Sequence, residues 1–94
     1  MFTDQDKLSL KEAIARWGTP IQFEMVIEEC TELTLAIQHY KRGRGNLDAI
    51  MEEVADVQIM IGQMEEMLCP VTIARFRREK LDRLRLRLDK RCNR

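Results

Sequence analysis

The sequence holds a single histidine, His39, and only three cysteines, Cys30, Cys69 and Cys92, in 94 residues. No two cysteines form a CxxC, and nothing close to His39 completes a zinc set, so a structural zinc site is excluded. The cysteines are read as reduced thiols, with Cys30 packed inside its helix and His39 on the surface or at a helix end. A di-iron carboxylate bundle needs Glu-x-x-His pairs. The residue three before His39 is Ala36, which excludes that centre too. No run of about eighteen apolar residues is present to span a membrane. The first six residues, Met1-Phe2-Thr3-Asp4-Gln5-Asp6, lack the basic and apolar regions of a signal peptide. A cytoplasmic protein without a membrane partner is expected.

Proline occurs twice and glycine four times, so helix breaks are few and easy to place. The spacing predicts a first helix from about Lys7 to Trp17, with Leu8, Ala13, Ile14 and Trp17 on its apolar stripe and Gly18 as its stop. Residues 1 to 6 are expected to be loose. Thr19 is the expected cap of the second helix and Pro20 its first residue, and the run ends at about Tyr40 to Arg42. Gly43 and Gly45 break the chain. Asn46 then caps a third helix, Leu47 to Leu68, and Cys69-Pro70 leads into a fourth, from about Val71 to Arg91, with 92–94 loose.

The expected fold is all-α, one domain over 1–94, with two long central antiparallel helices. Apolar residues run nearly all round both central helices, a pattern of burial on several sides. One short helix and one amphipathic helix cannot cover both. A homo-oligomer, dimer or tetramer, formed through the central helices is therefore expected.

Sixteen acidic and sixteen basic residues cancel, but they are segregated. Residues 1–68 hold thirteen Asp and Glu against six Lys and Arg, and residues 69–94 hold three against ten. Two acidic clusters lie within the apolar central helices: Glu28-Glu29-Cys30-Thr31-Glu32 and Glu52-Glu53-Val54-Ala55-Asp56. An ionised carboxylate in such surroundings is costly unless it is paired, hydrogen-bonded or bound to metal. Residues three apart share a helix face, so Glu29 with Glu32, and Glu53 with Asp56, form two carboxylate pairs. Glu32 and Asp56 both lie about twelve residues, or about 18 Å, from the Gly43–Gly45 turn, which sets the pairs at one height. Four converging carboxylates repel and take up protons unless a cation sits among them. All-oxygen ligation suits Mg²⁺ or Mn²⁺ better than zinc. The simplest competing account of these clusters is a set of solvated faces or ion pairs to the arginines of the last helix. Glu52 is read as a surface residue, and Glu28 points about 100° away from Glu29.

The order Glu28, Glu29, Glu32, an EExxE, followed about twenty residues later by the ExxD of Glu53 and Asp56, resembles the all-α nucleoside triphosphate pyrophosphohydrolases, the MazG and dimeric dUTPase superfamily. Trp17-Gly18, Gln22, the Glu-Leu after the first cluster and Lys80-x-x-Arg83 resemble the short, phage-type MazG-like proteins. The likeness runs from about Trp17 to Leu88. It implies a MazG-like four-helix arrangement and hydrolysis of a (d)NTP to the monophosphate and pyrophosphate. Glu29, Glu32, Glu53 and Asp56 would hold Mg²⁺ or Mn²⁺, Glu28 would orient water or a second group, and Lys80 and Arg83 would bind phosphates. The family carries an asparagine two residues before that lysine, where this chain has Arg78. Gln22, seven residues before Glu29 on the same face, is either a contact to base or sugar or a solvated glutamine at a helix start, and the Met-rich face of the third helix is either adaptable core or, at Met60 and Gln63, part of a base pocket.

The last helix carries an apolar stripe of Ile73, Phe76, Leu81, Leu84 and Leu88 beside a row of Lys80, Arg83, Arg87 and Arg91. That row motivates a competing function, a non-enzymatic helical module binding nucleic acid or an acidic partner. With only Phe76 available for stacking on bases, nucleic acid is the less expected ligand.

Overall fold

A computed structural model describes residues 1–92 of the chain, with side chains described through Lys90. The described residues are all-α, with four helices in the order α1 (Asp4–Trp17), α2 (Thr19–Lys41), α3 (Leu47–Met67) and α4 (Pro70–Cys92). No strand occurs among the described residues. Among the described residues no helix is long and apolar enough to cross a membrane. Of the stretch expected to be loose at the C-terminus, Cys92 is the last residue of α4, while 93 and 94 lie outside the described residues.

α1 starts three residues earlier than expected, and a capping box is the reason. The Thr3 hydroxyl accepts from the Asp6 amide at 3.0 Å, and the Asp6 carboxylate accepts from the Thr3 amide at 2.9 Å. Two of the N–H groups left over at a helix start are thereby satisfied, so the N-terminus is tied down. Hydrogen bonds from the Thr3 backbone, and then its side chain, hold the Asp6 carboxyl below the usual carboxylate range. The inward stripe of α1 is also shifted. Leu10 is buried and Ala13 and Ile14 are half-buried, whereas Leu8 and Trp17 are exposed. Gly62 on α3 sets how closely this helix approaches. A Cβ there would lie 2.7 Å from the Phe2 ring and 3.1 Å from Leu10, so the missing side chain is where α1 and the N-terminal segment rest on α3.

Gly18 ends α1 and also precedes α2. Its φ of 87° lies where residues with a Cβ are strained, and its amide donates to the Ile14 carbonyl at 2.8 Å. Thr19 therefore lies inside α2 rather than capping it, and no side chain caps that end. At the far end the chain turns through Gly43, with φ of 75°. Asn46 then caps α3 as expected, its Oδ1 accepting from the Ala49 amide at 2.8 Å. Such a cap contributes about 1 kcal/mol.

α2 and α3 form the main antiparallel pair, α1 packs on both, and among the described residues α4 touches only α3. On α4, Thr72, Ile73 and Ala74 are half-buried, and every residue from Arg75 to Lys90 is exposed. The result is an open molecule. Its radius of gyration is 16.8 Å, against about 12 Å for a compact chain of this length. It exposes 7679 Å², where a compact monomer of this size exposes about 5,700 Å². Ile21, Ile27, Met51, Ile59 and Ile61 on the central pair are exposed, as is Cys30. The expected packing of Cys30 inside its helix is not found.

Candidate metal centre

The antiparallel pairing of α2 and α3 brings the acidic clusters together. Glu29, Glu53 and Asp56 each offer a carboxylate oxygen, and the three atoms lie within 4.8 Å of one another. Glu29 and Glu53 are half-buried and Asp56 is exposed. Glu32, the fourth expected ligand, is exposed and stands outside this trio. It remains close enough for its charge to act on both Glu29 and Glu53. Glu28 and Glu52 are exposed.

The electrostatics of the trio have one sign. Burial pushes the Glu29 carboxyl above the usual range, and the charges of Asp56, Glu53, Glu32 and Glu28 push it further. Burial likewise raises Glu53, followed by the charges of Asp56, Glu32 and Glu52. No cation appears among these influences. Among the described residues, no arginine of α4 forms an ion pair with the cluster, and Arg78 is held instead by Asp82 of its own helix at 3.0 Å. The Glu53 Oε2 atom is buried and has no hydrogen-bond partner. A buried carboxylate oxygen without a donor is costly, and a bound cation removes that cost. The donor set fits one. Oxygens bound to one octahedral Mg²⁺ stand about 2.9 to 4.2 Å apart, so three oxygens within 4.8 Å of one another converge on a common ion with small side-chain shifts.

The two raised carboxyls give a signed pH dependence. A folded-state pKa above the unfolded one contributes stability that is full below the unfolded value and is lost as pH rises through the folded value. In EDTA, the thermal midpoint relative to that of Glu53→Gln is expected to fall as pH climbs from the ordinary glutamate range near 4.5. Mg²⁺ at neutral pH is expected to restore it. A flat difference across that range would show that the carboxylates do not interact.

Two other groups share the register of the cluster. Gln22 and Gln63 each lie seven residues from a carboxylate, before Glu29 and after Asp56 respectively, or about 10.5 Å along their helices. They are 1 % and 4 % exposed. Both amide atoms of Gln22, and the Gln63 oxygen, are buried without a hydrogen-bond partner. Gln22 is thus not a solvated residue at a helix start, and Met60, also buried, belongs to the core. No known protein family, curated protein or solved structure matches the chain. What the site does rests on its geometry.

Lys80 and Arg83 lie on the exposed part of α4, and within one protomer the structure does not bring them to the carboxylates. One group at the start of that helix escaped the sequence analysis. The exposed Cys69 thiol is held below its usual range by hydrogen bonds from the Thr72 side chain and backbone, with Arg75 nearby.

Proposed function

We propose that the protein is a Mg²⁺-dependent nucleoside triphosphate pyrophosphohydrolase that converts a (d)NTP to the (d)NMP and pyrophosphate. The observation that carries the proposal is the convergence of Glu29, Glu53 and Asp56 oxygens within 4.8 Å. The EExxE and ExxD order, which resembles that of the MazG-like enzymes, supports it further. In this reading the enzyme works in the cytoplasm as a homo-oligomer.

Glu29, Glu53 and Asp56 hold the cation, with Glu32 beside them as the fourth carboxylate. Bound Mg²⁺, or Mn²⁺ in its place, supplies positive charge for the phosphate oxygens and makes a water more acidic. Glu28, on the exposed side of the same turn, orients the attacking water. Lys80 and Arg83 bind the phosphates through charge-assisted hydrogen bonds and offset the charge on the departing pyrophosphate. The amides of Gln22 and Gln63, two helical turns along from Glu29 and Asp56 respectively and buried without a partner, are held for the base or sugar.

The test is pyrophosphate release from a panel of common dNTPs and NTPs, including dUTP, with Mg²⁺ or Mn²⁺ and with EDTA. Release that requires the metal is the expected result. No release from any nucleotide, together with no metal binding by calorimetry, would overturn the proposal. It would favour instead a binding module built on the exposed basic helix.

A further inference from the structure

Two features of α4 and one of the α2–α3 pair call for one explanation. Its cationic row, including Lys80, Arg83 and Arg87, faces solvent. Its apolar stripe is uncovered as well, with Phe76, Leu84 and Leu88 being 49 %, 43 % and 50 % exposed. Among the described residues, the carboxylate cluster on α2 and α3 meanwhile forms no ion pair. Each surface lacks what the other carries.

The heights also match. Asp56 and Glu53 lie thirteen and sixteen residues before Cys69, and Lys80 and Arg83 lie eleven and fourteen residues after it. A helix lying antiparallel along α3 from that junction would set the cations within about one turn of the carboxylates. The protomer's own α4 does not take that place. Its first turn is fixed by the half-buried Thr72, Ile73 and Ala74 and by the Ile73 amide donating to the Cys69 carbonyl at 3.1 Å, and the remainder projects away.

We propose that two copies exchange α4, so that the basic, apolar-striped helix of each lies along the acidic α2–α3 face of the other. Lys80 and Arg83 of one protomer then complete the carboxylate site of its partner. Exchange of an identical element is an undemanding route to a closed dimer, because the swapped helix makes the contacts that a closed protomer would make itself. Surface area is sufficient. Each protomer exposes about 2,000 Å² beyond the expectation for a compact chain, and an obligate dimer buries about 2,000–5,000 Å² in total. Charge complementarity selects this face over the neutral flank of α1.

The completed site rests on the functional proposal above, whereas the exchange does not, and the experiment separates them. Equal amounts of unlabelled and ¹⁵N-labelled full-length protein are mixed, unfolded and refolded together. They are then joined with a zero-length carboxyl–amine cross-linker and read by mass spectrometry. Lys80 is expected to link to Glu32, Glu53 or Asp56 in mixed-isotope pairs, with a dimer by light scattering. Links confined to single-isotope pairs, or a monomer at micromolar concentration, would overturn the exchange.

The second measurement mixes Glu53→Gln with Arg83→Ala chains, each inactive alone. An exchanged arrangement restores one intact site in each mixed dimer, about one quarter of the wild-type pyrophosphate release under random pairing. A protomer that uses its own α4 gives no recovery. Mixed-isotope links in a wild-type protein that releases no pyrophosphate would keep the exchange and remove the enzyme.

Discussion

Glu53→Gln is expected to remove metal-dependent pyrophosphate release, by about 10²–10³-fold or more, while leaving helicity unchanged and making the metal-free protein more stable. The opposite signs follow from one geometry. Glu53 has a buried oxygen without a donor, and its carboxyl is raised by burial and then by Asp56, Glu32 and Glu52. An amide of nearly the same shape has no charge to repel those neighbours and offers an N–H to the nearest carboxylate oxygen. Without metal, the substitution therefore relieves repulsion. With metal, it removes a charged ligand at the point where three oxygens converge. Thermal melts in EDTA and in Mg²⁺, beside the pyrophosphate assay, measure all of this. The order of the two melting curves, variant above wild-type in EDTA and below it in Mg²⁺, is the signature of a metal site. A variant that is active, or less stable than wild-type in EDTA, would show that the cluster is structural.

Much of the local structure was legible because it depends on neighbours in sequence. The Gly43–Gly45 break, the Asn46 cap and the Cys69-Pro70 boundary all stand within about one residue of expectation. The loose N-terminus was a misreading of a visible signal: Thr3 and Asp6 are the ends of a capping box. Leu10 rather than Leu8 is the inward leucine because Gly62, which admits Leu10 to the core, lies fifty-two residues further along the chain, on α3. Cys30 was misplaced for a related reason. Apolar residues all round α2 imply burial, but a single protomer has too little chain to provide it.

The candidate site divides along the same line. Helical spacing and turn position were enough to bring Glu29, Glu53 and Asp56 together, since all three lie on two helices joined by a short turn. The position of Lys80 and Arg83 was not accessible in this way. It depends on the direction in which α4 leaves α3, and that direction is set by three half-buried side chains at the junction rather than by any periodicity. Nor did the pattern reveal that Gln22 is almost wholly buried, because an amide at the start of a helix most often faces water.

Gln22→Met is expected to stabilise the protein and at the same time weaken its hold on nucleotide. Both polar atoms of the Gln22 amide are buried without a partner, and leaving such a group unsatisfied costs about 1–3 kcal/mol. Methionine has nearly the same length and volume, no donor to lose, and enough flexibility to fill the space the amide leaves. For a chain of this size each kcal/mol is worth about 4–8 °C in the thermal midpoint, so a rise of roughly 4 °C or more is expected. A fall in the midpoint would mean that an ordered water bridges the amide and that the glutamine is structural. The functional arm moves the other way. If the amide is reserved for the base or sugar, the variant's KM for nucleotide rises while metal binding at Glu29, Glu53 and Asp56, about 10.5 Å away, is unchanged. Gln63→Met and the double variant extend the test, since two amides serving one ligand give non-additive losses of affinity. Stability gained together with nucleotide affinity lost is the pattern of a polar group retained for binding rather than for folding. Stability gained with KM unchanged would remove both glutamines from the proposed site and leave it to the carboxylates, Lys80 and Arg83.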